Sequence, residues 1–129
     1  MDELKDLDKW IAENVMGWHS EFYNLCYEEK NDHSLDNWTD CGGRNVISVL
    51  YWQATQDIKQ AFECLNTWKK AGSKRYYRIC GLEGGGYEVN LFEDGIGKVS
   101  KHSLQNEIAT EYSGELPLAI CLAIKKGET

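Results

Sequence analysis

The sequence holds no CxxC, HxH or HxxxH pair, no GxSxG elbow and no GxxxxGK[ST] loop. Zinc sites advertise themselves by paired ligands at short fixed spacing, and phosphate loops by glycines followed by a helix. Those chemistries therefore have no sequence signature here. No basic region precedes an apolar segment, since Met1 is followed by Asp2 and Glu3, so no secretory signal is expected. The longest apolar run, Leu116 to Ile124, is far shorter than the roughly 20 residues a membrane helix needs. Repeats, linkers and low-complexity stretches are absent too.

Five cysteines are present: Cys26, Cys41, Cys64, Cys80 and Cys121. The number is odd and the spacing irregular, which argues against a disulfide framework. Cys64, Cys80 and Cys121 sit among apolar neighbours, where a reduced thiol behaves as a small hydrophobe. The expected setting is the reduced cytosol, and the expected location is cytoplasmic.

The chain has 129 residues, 42% of them hydrophobic, with five Trp, seven Tyr and three Phe. That length and aromatic content suit one compact domain, 1–129, with its own core. The formal charge is −7, from 21 acidic and 14 basic residues. Nucleic-acid binders carry a basic patch or a high pI, whereas here the bases come only as short pairs such as Lys69-Lys70. Direct nucleic-acid binding is disfavoured, and so is a membrane partner.

Leu4, Leu7, Trp10, Ile11 and Val15 recur at helical spacing, with Asp2 as N-cap and Gly17 as the stop. Phe22 to Tyr27 and Val46 to Tyr51 read as strands. A second helix opens at Thr55 and Asp57 and carries Ile58, Ala61, Phe62, Leu65 and Trp68 as one stripe, with Gly72 ending it. Arg75 to Cys80 and Tyr87 to Phe92 read as a hairpin across Gly84-Gly85-Gly86. Ile96 to Lys101 is a candidate third strand. Leu104 to Tyr112 permits either a short helix or a loop. Leu116 to Lys126 reads as a buried helix with Pro117 in its first turn, or else as a buried strand. The fold class expected is α+β, with an antiparallel sheet.

The ending ELPLAICLAIKKG, the opening LDKWIAENVMGW and the segment ATQDIKQAFECL between them resemble, in that order, stretches of the phage ABA sandwich domain family. The resemblance implies a sheet sandwiched between helical layers and a phage or prophage origin. It carries over no catalytic residue. The stretch from Glu28 to Val49 departs from the family pattern.

Several chemistries can be weighed residue by residue. His33, with Asp32, Asp36 and Cys41 nearby, sketches a metal site, but an exposed turn explains the same residues and no metal or cofactor is expected. Gly84, Gly85 and Gly86 offer bare amides that could cradle a phosphate, although a hairpin tip accounts for them as well. Around them lie Arg75, Tyr76, Arg78, Tyr87 and Asn90. Strand alternation places Tyr76 and Arg78 on one face and Tyr77 and Ile79 on the other. A ring beside a guanidinium suits stacking and oxyanion pairing. These residues form the candidate ligand site.

The function expected is that of a non-enzymatic phage accessory protein. It would act in the host bacterial cytosol, binding a host protein or a small nucleotide-like ligand to counter host defence. The alternative is a small enzyme acting on nucleotides or thiols. The apolar last helix also raises the expectation of a homo-oligomer.

Overall fold

The computed structural model describes residues 2–20, 37–49, 51–72, 74–94 and 107–128. Among these residues the fold is α+β, with helices and two antiparallel sheets. The chain divides into two compact units, Met1–Gln53 and Ala54–Thr129. No helix among the described residues is long and apolar enough to cross a membrane.

The first unit opens with α1 (Asp2–Asn14). Its Leu7, Ile11 and Ala12 are buried, as their spacing requires. The amides of Val15 and Met16 both bond Ile11 O, and Gly17 then takes a positive φ of 73°. Only a glycine adopts that conformation without cost, so the expected stop is a real one. Two short strands follow, β1 (Asn37–Thr39) and β2 (Asn45–Ser48), paired antiparallel. Asp40 organises the turn between them: its Oδ1 accepts from Gly42 N at 2.9 Å and Arg44 N at 3.0 Å. The Trp52 indole N–H donates to Asp8 O at 2.9 Å, and Trp18 meets the Trp52 ring edge-on at 4.8 Å.

The strand expected from Val46 to Tyr51 is shorter and begins earlier. Ser48 O accepts both Tyr51 N and Trp52 N, which turns the chain out of the ladder. Val46 is left exposed. The strand expected at Phe22 to Tyr27 lies outside the described residues.

The second unit runs α2 (Ile58–Ala71), β3 (Arg75–Gly81), β4 (Tyr87–Glu93), β5 (Glu107–Ser113) and α3 (Leu116–Glu128). The N-cap of α2 is Asp57, whose side chain accepts from Gln60 N, while Thr55 is buried before the helix begins. Ala61, Cys64, Leu65 and Trp68 face the core, while Ile58 is exposed.

The sheet order is β3-β4-β5, antiparallel throughout. Residues opposite one another in such a ladder share a face. Arg75, Tyr77 and Ile79 therefore lie with Glu93, Leu91 and Val89, and with Ala109 and Glu111 on β5. Both helices cover this face. Trp68 of α2 lies beneath the Arg75 guanidinium, and Gly127 of α3 abuts Ile108 and Ala109. Within this unit the helices thus form one layer over one side of the sheet.

Segment 104–112, which reads from sequence as short helix or loop, contains the start of strand β5 from Glu107 onward. Candidate strand Ile96 to Lys101 lies outside the described residues. The register of β5 slips between Leu91 and Phe92, so Ile108 is an extra residue with no partner of its own. The bulge turns Ile108 and Ala109 toward α3 and returns Glu107 to the opposite face. α3 is a helix, not a strand, and buries Ala119, Ile120, Cys121, Ala123 and Ile124. Leu116, Leu118 and Leu122 of the same helix are half-buried.

Candidate functional site

The face of β3-β4-β5 turned away from α2 and α3 carries Tyr76 and Arg78 from β3, Glu88, Asn90 and Phe92 from β4, and Glu107, Thr110 and Tyr112 from β5. At its centre is Asn90, only 2% exposed. A buried amide must spend its hydrogen bonds on partners, and Asn90 does so across all three strands. Its Oδ1 accepts from Arg78 Nε at 3.2 Å, and its Nδ2 donates to Thr110 Oγ1 at 2.8 Å and Glu107 Oε1 at 3.2 Å. The opposite amide orientation would set a donor against Arg78 Nε–H and an acceptor against a carboxylate. The network therefore fixes the amide.

Exposed side chains surround this core. Tyr76 stacks flat on Phe92, with centroids 4.9 Å apart and planes 7° from parallel, and is itself 39% exposed. The Arg78 side chain is 59% exposed, with its Nη2 3.8 Å from Glu88 Oε2. Tyr112 is also 59% exposed. Hydrogen bonding to the Glu88 carboxylate, that carboxylate's charge, a small desolvation and the charge of Glu107 all hold the Tyr112 hydroxyl above its ordinary pKa of 10.0. Rings, a guanidinium and two carboxylates thus share one sheet surface.

The eight residues singled out from sequence separate into three places. Tyr76, Arg78 and Asn90 share the face just described. Arg75 lies on the other face, where Nε bonds Glu93 Oε2 at 2.6 Å, Nη1 bonds Trp68 O at 2.9 Å, and Glu128 approaches to 3.4 Å. It clamps the helices to the sheet. Tyr87 follows the parity of Val89 and also belongs to the helix side, at the hairpin end.

Gly84, Gly85 and Gly86 form the hairpin tip, all at positive φ of 92°, 105° and 90°. An anion-binding nest uses successive amides in a turn of alternating handedness. Three φ values of one sign do not make that turn, and Gly85 N is already donated to Leu82 O at 3.0 Å. The tip borders an open hollow of about 550 Å³, lined by Leu82, Gly84 to Gly86 and Tyr112 to Gly114. None of these described lining residues is cationic.

Glu88, Glu107, Thr110 and Tyr112 join the face without having been singled out from sequence. Their signal lay in the pairing of β4 with β5, which no local pattern reveals. Of the cysteines, Cys64 and Cys121 are buried and Cys80 is half-buried, while Cys41 is exposed. Asp32, His33 and Asp36 lie outside the described residues. Among the described residues no group of three His, Cys, Asp or Glu is placed to hold a metal ion. No protein-family model, no curated protein and no solved structure matches the chain.

Proposed function

We propose that this chain is a non-enzymatic binding protein that engages a partner protein through the β3-β4-β5 face bearing Tyr76, Arg78 and Tyr112. The observation that carries the reading is the exposure of these three side chains around a buried, fully bonded Asn90. Tyr and Arg are the residue types that dominate protein–protein hot spots, together with Trp. Ordering side chains on association is costly. The Asn90 network and the Tyr76–Phe92 stack meet part of that cost before a partner arrives.

A protein partner fits better than a nucleotide. Phosphate groups call for several converging cations or amides. Here Arg75 is committed to the helix face, and none of the described residues lining the hollow at the glycine tip is cationic. The resemblance to phage ABA sandwich proteins adds the biological setting to the proposal: a phage accessory protein acting on a host component in the bacterial cytosol.

Affinity capture from a bacterial lysate, using the whole chain as bait, tests the proposal. Wild type and the exposed α2 variant Lys59→Glu should retain the same partner, while Arg78→Glu and Tyr112→Ala should lose it. Equal capture by all four baits, each confirmed folded by circular dichroism, would overturn the proposal.

A further inference from the structure

Arg78 combines two features seldom found together. Its Nε is held by an amide that is itself 2% exposed, yet its side chain is 59% open to solvent. Among the described residues its terminal nitrogens make no hydrogen bond, and the nearest carboxylate oxygen, on Glu88, stands off at 3.8 Å. A guanidinium held at Nε has its planar fork restrained, and such a fork matches two coplanar oxygens. Tyr76 and Tyr112 supply rings on the same face.

We infer that Arg78 is the carboxylate receptor of this face, with Asn90 as its positioning residue, and that the partner presents an acidic side chain or chain terminus next to an aromatic ring. The inference rests on the binding-face reading above. A monoanionic, planar carboxylate is favoured over phosphate because Glu88 and Glu107 share the face. Their charges repel a dianion more strongly than a monoanion, and among the described residues of the face one guanidinium, that of Arg78, is present to compensate. Glu88 is also the group that an incoming carboxylate must displace, so it sets the threshold for binding.

The test uses N-acetyltryptophan, which offers a ring and a carboxylate, against its neutral amide, with inorganic phosphate as a third probe, all at constant ionic strength. Binding is followed by NMR at the Arg78 Nε–H and the Tyr76 and Tyr112 rings. The acid should bind about tenfold tighter than the amide. Arg78→Lys keeps the charge but loses the fork, and should erase the preference. Asn90→Ala should reduce it about fivefold, the size of one hydrogen bond, and Glu88→Gln should enlarge it. Arg78→Lys lies at an exposed position and decides the matter if Asn90→Ala fails to fold. Equal binding of acid and amide, a preference that survives Arg78→Lys, or perturbation by phosphate alone would overturn the inference. If those outcomes appear while Arg78→Glu still abolishes partner capture, the binding face stands and only its carboxylate chemistry falls.

Discussion

Arg75 and Trp68 are locked together twice: the guanidinium carbon sits 4.9 Å above the indole ring, and Nη1 donates to the Trp68 carbonyl at 2.9 Å. Glu93 and Glu128 complete the clamp. It joins the end of α2, the start of β3, the end of β4 and the end of α3, and it holds the helices to the back of the proposed binding face. Gly72 is part of the same arrangement, because a Cβ there would collide with Arg75 Nε and lie 2.7 Å from Glu93 Oε2.

Gly72→Ala should therefore destabilise the fold by about 2 kcal/mol, as overpacking does. Arg75→Ala should cost a similar amount, about 2 kcal/mol, by removing charge-assisted hydrogen bonds from a part-buried site. Urea unfolding measures both. If the clamp is the common cause, the double variant will cost less than the sum of the two single ones.

In the first unit, Trp52→Phe keeps most of the ring but removes the bond to Asp8 O. The expected cost is about 1 kcal/mol. A loss of Trp18–Trp52 edge contact geometry should appear as a changed near-ultraviolet circular dichroism signal. No change in either measurement would mean that the indole bond contributes nothing.

Tyr112 should ionise above its ordinary pKa of 10.0, because the phenolate would face Glu88 and Glu107. The folded chain favours the protonated hydroxyl, so the contribution to stability is complete below pH 10.0 and is lost as pH rises through the folded pKa. Difference absorbance at 295 nm between wild type and Tyr112→Phe gives the midpoint, and Glu88→Gln should bring it back toward 10.0.

Asp40 has the opposite sign. Its carboxylate accepts the Arg44 and Gly42 amides, with the charges of Arg44 and His19 adding to them, and its pKa lies below the ordinary 3.8. The β1–β2 turn is therefore fully supported above pH 3.8 and weakens as pH falls through the lower, folded value. The Gly42 and Arg44 amide resonances should report that midpoint. A midpoint at or above 3.8 would contradict the bonding seen.

How much of this was legible in the sequence depended on the range of the signal. The stripe from Ala61 to Trp68, the apolar run of α3 and the alternation of Arg75–Cys80 are local patterns, and each gave an element within a few residues of its observed bounds. Alternation alone also separates Arg75 from Tyr76 and Arg78, since Arg75 has the parity of Tyr77. Arg75 therefore stands apart from the other ligand-site candidates of its strand. Strand β5 was hidden for a different reason. Leu104, Ile108 and Tyr112 fall at helical spacing, and the bulge sets Ile108 and Ala109 on the same side, which breaks the period of two that marks a strand. Glu107, Thr110 and Tyr112 belong to the face only through that register, so the Asn90 network could not be read before the pairing was known.

The binding face itself is tested most directly by site-specific photo-crosslinking. A photoreactive residue replaces Tyr76 or Tyr112 on the face, or the exposed Lys59 of α2, and each whole chain is irradiated in bacterial lysate. One discrete adduct of the same mass from positions 76 and 112, absent at position 59 and absent when Arg78→Glu is added, is the expected result. Adducts at position 59 alone, or adducts that Arg78→Glu leaves unchanged, would contradict it.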